Sequence, residues 1–130
     1  MVYLLRKLFT ITLIIVGILF TSTIYAKPPI FVHNYDDARQ LSKDLNIDIV
    51  IIFSADWCSY CHKQLDEISL NLDKVGDTIF CILDFDKDSV LVKKYTVKKI
   101  PTTFFMKQGT VSYEHIGYMP IDQIVKWNKK

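Results

Sequence analysis

Ile47-Asp48-Ile49-Val50-Ile51-Ile52-Phe53-Ser54-Ala55-Asp56-Trp57-Cys58-Ser59-Tyr60-Cys61 is the stretch on which the fold turns. Five of its first seven residues are β-branched and only Asp48 interrupts the apolar run, the pattern of a central strand buried on both faces. After the second cysteine the periodicity changes. Cys61, Leu65, Ile68, Leu72 and Val75 recur at alternating spacings of 4 and 3, the apolar stripe of an amphipathic helix. The cysteine pair therefore lies where a buried strand ends and a helix begins. Chemistry in open α/β sheets collects beyond the carboxyl ends of the strands. Unpaired N–H groups and the helix dipole at such a position stabilise a thiolate at Cys58. The dipole contributes only roughly 0.3–1 kcal/mol.

The same alternation extends outward. Ile30 to His33 reads as a short strand, and Asn34 caps a helix from Tyr35 to Leu45 with Asp36 and Asp37 in its first turn. Thr78 to Phe85 is a further strand, placing Cys81 in the core as a small hydrophobe. Ser89 to Tyr95 is a short helix. Thr102 to Met106 and Thr110 to His115 form a hairpin about Gln108-Gly109. Pro120 opens a last helix that runs to Asn128. The order β-α-β-α-β-α-β-β-α predicts a three-layer α/β domain with a mixed sheet flanked by helices.

Ala55-Asp56-Trp57-Cys58-Ser59-Tyr60-Cys61 resembles the W-C-x-x-C signature of the thioredoxin family, and Ile100-Pro101-Thr102 falls where that family carries a cis proline against its redox pair. The match runs from about Ile30 to Trp127. The resemblance implies a thioredoxin fold and the following roles. Cys58 is the exposed nucleophile that attacks a substrate disulfide, and Cys61 resolves the mixed disulfide. Trp57 walls the site, Tyr60 adds bulk and a groove contact, the Ile100 backbone pairs with the substrate chain, and Gly117 lies beside the groove. Exchange of this kind needs no metal or cofactor beyond the cysteine pair. One departure stands out. The family's buried carboxylate, six residues before the first cysteine, is replaced by Ile52, and the lysine that often faces it by Ile82.

Two other readings of the same residues stay open. Cys58-Ser59-Tyr60-Cys61-His62 is literally C-x-x-C-H, the attachment motif of c-type haem, with His62 as proximal ligand and Met106 or Met119 available as the other axial ligand. A thioredoxin-fold binding module with incidental thiols is the other. His62 is read as a solvent-exposed helix residue, or as an imidazolium that favours the Cys58 thiolate. Asp56 is a solvated loop acid with a lesser case for influencing proton transfer.

Residues 1–26 read as a secretory signal or an N-terminal anchor: Arg6-Lys7, an apolar run from Leu8 to Phe20, then the small polar Thr21-Ser22-Thr23 before Ile24-Tyr25-Ala26. A tether would run through residues 4–25. Residues 27–130 are the domain, expected outside the cytoplasm, in a periplasm or at the outer face of a membrane. Excluding Arg6 and Lys7 leaves 14 basic residues against 14 acidic, so the body gives no electrostatic case for nucleic acid. The expected partners are protein thiols and disulfides together with a membrane electron-transfer protein, and the expected state is a monomer. Ile100 before Pro101, and Ser59-Tyr60 in place of Pro-His, favour disulfide reduction over oxidation or isomerisation.

Overall fold

The computed structural model describes residues 1–7 and 28–129. Most of the expected leader, and the start of the domain at Lys27, lie outside the described residues. Among the described residues no helix is long and apolar enough to cross a membrane.

The central strand forms as its composition requires. The elements are β1 (Ile30–Val32), α1 (Tyr35–Leu45), β2 (Ile49–Ser54), α2 (Ser59–Ser69), α3 (Leu72–Val75), β3 (Ile79–Asp84), α4 (Ser89–Lys94), β4 (Thr102–Lys107), β5 (Thr110–Ile116) and α5 (Ile121–Asn128). They build one sheet of order β1-β3-β2-β4-β5, with β1, β3 and β2 parallel and β4 and β5 antiparallel. All of β2 is buried. Its side chains divide by parity: Ile49, Ile51 and Phe53 pack with Tyr35 and Ala38 of α1, while Val50 and Ile52 pack with Ile68, Val75, Ile121 and Ile124. Burying each such side chain contributes roughly 1.5–3 kcal/mol, so a strand with two apolar faces holds two helical layers to one sheet.

Local signals set the boundaries. Asn34 Oδ1 accepts from the N–H groups of Asp36 and Asp37 at 2.9 and 3.1 Å, capping α1. Gln108 and Gly109 take φ of 50° and 80°, the paired positive values that a two-residue type I′ hairpin needs. The helix after the cysteines differs from the single stripe expected. α2 ends at Ser69 because Asn71 Nδ2 donates to the Glu67 carbonyl at 2.8 Å, and the chain restarts as α3. The break leaves Leu72 at the surface while Val75 still reaches the core. Pro120 sits one place outside α5, as its N-cap.

Candidate active site

The site is assembled from three chain segments. Cys58 is the N-cap of α2 in extended conformation, and its Sγ accepts the Cys61 N–H at 3.2 Å. A donor aimed at that sulfur is what a helix start offers a thiolate. The two sulfurs are joined as a disulfide, with Cα atoms 5.2 Å apart. Cys61 is fully buried and Cys58 is 7% exposed. The exposed nucleophile implied by resemblance is thus a largely covered sulfur, because Ala55, Phe85 and Ile100 pack around the pair. Only Cys58 has a face toward solvent.

Trp57, Tyr60 and Ile116 supply an apolar rim, at 67%, 64% and 58% exposure. Trp57 is held by its Nε1 donating to Asp86 Oδ2 at 2.8 Å. Ile116 is a residue that sequence reasoning missed; it ends β5 directly opposite Thr102. Its signal was an apolar side chain at the exposed phase of an alternating strand.

The Ile100–Pro101 peptide is cis, and Pro101 is buried. The Pro101 carbonyl accepts from the Gly117 N–H at 2.7 Å, and Gly117 has φ of 101°, a conformation that favours glycine. The Thr102 hydroxyl donates to the Lys99 carbonyl at 2.6 Å. Between these anchors, the N–H and carbonyl of Ile100 make no hydrogen bond among the described residues.

Gln64 was also missed. It is completely buried, its Nε2 donates to Thr103 Oγ1 at 2.9 Å, and its Oε1 accepts from the Met119 N–H at 3.0 Å. One amide therefore ties the cysteine-bearing helix to β4 and to the loop after Gly117. Glu67 adds a second tie, accepting from the Tyr118 hydroxyl and from the Ile121 N–H. The Tyr118 pKa is raised by that bond to Glu67. A polar residue inside the apolar stripe, three places after Cys61, was the available signal for Gln64.

Ile52 and Ile82 are register partners across β2 and β3, with Ile52 fully buried. Ile82 and Leu65 line a cavity of about 540 Å³ that is otherwise largely polar, with His62, Asp66, Asp84, Lys87 and Asp88 in its walls. His62 and Asp56 are both exposed, and both border a second cavity of about 750 Å³ with Trp57 and Tyr118. Asp84 is held below the usual carboxylate range chiefly by its hydrogen bond with Lys87, which raises the lysine in return.

The methionines required by the haem reading lie elsewhere. Met106 is buried with Tyr35 and Phe104 on one face of the sheet, and Met119 with Ile52 and Ile68 on the other. Neither is free to reach an iron held at His62.

Cys81 is buried in β3, and burial, reinforced by Asp88 and Asp37, pushes its thiol up to about 12. We expect Cys81 to resist iodoacetamide in the native protein and to react fully in denaturant, by mass spectrometry; rapid native labelling would contradict its burial.

A buried strand leading to a helix-capping disulfide, faced by a cis proline, defines a thioredoxin-like thiol–disulfide oxidoreductase. The thioredoxin family model matches residues 30–130, and the chain belongs to the thioredoxin family. It is 31% identical over 81 residues to a thioredoxin of Mycoplasmoides gallisepticum, covering 61% of this chain and 79% of that one. It is 29% identical over 86 residues to Thioredoxin 2 of Plasmodium falciparum, covering 65% of this chain but only 55% of that protein. A mutant thioredoxin from Halobacterium salinarum superposes with TM-score 0.68 over 83% of this chain and 94% of its own, at 21% identity, which speaks to fold alone. Oxidized mitochondrial Thioredoxin 3 of Saccharomyces cerevisiae gives 0.64 at 25% identity, over 78% and 94%.

Proposed function

We propose that this protein is an exported reductase of protein disulfides. The observation that carries the reading is the pairing of a helix-capping Cys58 with an unpaired Ile100 backbone beside it. An extended substrate segment hydrogen-bonds to Ile100 and brings its disulfide over Cys58. The Cys58 thiolate attacks one substrate sulfur, forming a mixed disulfide and releasing the other as thiolate. Cys61 then gives up its proton and attacks Cys58 Sγ. That step releases the second substrate thiol and leaves the Cys58–Cys61 disulfide, so two electrons pass to the substrate. Trp57, Tyr60 and Gly117 shape the approach, while the exposed His62 and Asp56 act through solvent.

Ile52 and Ile82 leave Cys61 without the family's usual buried base, so its proton leaves through water. Export is supported by Arg6-Lys7 and the apolar run that follows them. An exported reductase needs electrons from inside, so a membrane-bound thiol donor completes the cycle, with this protein acting as a monomer.

Direction is tested by the redox state in cells. After acid quenching and labelling with a maleimide mass tag, a reductase shows Cys58 and Cys61 both tagged. A pair found wholly as disulfide, in cells whose donor is intact, would overturn the reductive direction.

A further inference from the structure

The two sides of the redox pair carry opposite charge, although the domain as a whole is neutral. On the Trp57 side, Asp56 and Asp86 are exposed and Asp84 and Asp88 share the same turn. Lys87 lies among them, paired with Asp84 at 2.7 Å and raised as well by Asp56 and Asp86, which places those acids in one local field. On the proline side, the segment from Ser89 to Ile100 has four lysines and no acid. Two of them have structural uses. Lys93 lies in the last turn of α4, where a cation complements the carbonyl end, and the Lys94 ammonium sits 4.8 Å from the Tyr35 ring centroid.

Lys98 and Lys99 have no such use. They lie beyond α4, both are exposed, and neither forms an ion pair among the described residues. The Lys99 carbonyl is fixed by the Thr102 hydroxyl, and the next residue packs against the cysteines. Consecutive Cα atoms are about 3.8 Å apart, so both lysines are held within two residues of the unpaired Ile100 backbone.

We infer that the partner polypeptide carries acidic residues beside its reactive cysteine, where it passes Lys98 and Lys99, and that the protein selects disulfides by this charge polarity. The inference rests on the oxidoreductase reading above. Carboxylates there meet two uncompensated ammonium groups, whereas basic residues at the same positions meet repulsion from them and find their complement only on the Trp57 side, at Asp56 and Asp86. Complementarity of this kind acts mainly on the rate of encounter.

The test is single-turnover exchange of the reduced protein with two short disulfide peptides, identical except for Glu or Lys on the one side of the cysteine that passes Lys98 and Lys99. At low ionic strength the acidic peptide should react about tenfold faster. In about 1 M salt, where the Debye length is about 3 Å, the ratio should fall toward one. In the doubly substituted Lys98→Glu, Lys99→Glu protein the ratio should invert. Equal rates with the two peptides at low salt, or a ratio unmoved by the double substitution, would overturn the inference. A small uncharged disulfide is run alongside on the wild-type protein. If it too is inert, the oxidoreductase reading fails and the inference fails with it; if it reacts while the peptides do not differ, only the charge selection is wrong.

Discussion

Replacing Cys58 with serine should lower the rate of disulfide exchange by about 10³-fold or more, because it removes the nucleophile itself. Replacing Cys61 with serine should instead preserve the first attack and stop the reaction there. The asymmetry follows from burial: Cys58 has the only solvent-facing sulfur of the pair, and Cys61 is sealed beneath it. Cys81 offers no substitute, being buried with its thiol pushed up to about 12. Incubation with a small aromatic disulfide should give a stable one-to-one adduct on the Cys61→Ser protein, none on Cys58→Ser, and only a transient one on wild type, all read by intact mass. Adduct formation on Cys58→Ser at the wild-type rate would show that the roles are reversed.

Introducing a carboxylate at Ile52 should destabilise the fold by about 3 kcal/mol or more at neutral pH. Ile52 is completely buried, its register partners are Ile82 and Thr103, and Val50, Ile68 and Phe80 belong to the same cluster. The Thr103 hydroxyl is already bonded to Gln64, and none of these side chains carries a compensating charge. Burial disfavours the ionised form, so the folded-state pKa of Ile52→Asp must lie above its unfolded value near 3.9. The neutral form is the one the fold tolerates. Relative to wild type, the variant's stability should therefore be best below the unfolded pKa and decline as pH rises toward the folded one. Urea unfolding at pH 4 and pH 7 measures this, with Ile52→Val, expected to cost about 0.5–1.5 kcal/mol at both, as the volume control. A variant equally stable at both pH values would mean that the charge finds a partner.

Much of the fold was legible because its determinants are periodic. Ile49 to Phe53 could be buried on both faces only within a layered sheet, and the W-C-x-x-C segment then fixed which strand met which helix. The Asn34 cap and the Gln108-Gly109 turn were readable because each depends on a few adjacent residues. What escaped depends on distant ones. The break at Leu70-Asn71 interrupts a stripe whose spacing is helical throughout, and the side chains of Ser69 and Asn71, bonded back to the Asp66 and Glu67 carbonyls, mark it. The role of Gln64 depends on β4 and the Met119 loop being brought against it. The Trp57–Asp86 bond spans 29 residues, and the exposure of Ile116 depends on β5 being the sheet edge.

The most direct test is the reduction potential of the Cys58–Cys61 pair, equilibrated against glutathione or dithiothreitol at pH 7 and read by the fraction of disulfide. A reducing member of the family gives a value near about −270 mV, whereas a disulfide-inserting oxidant gives about −120 mV. The two differ by about 7 kcal/mol, at roughly 1.4 kcal/mol per 30 mV, far beyond the error of the method. A value close to the first is expected here; a value close to the second would contradict the proposed direction of electron flow.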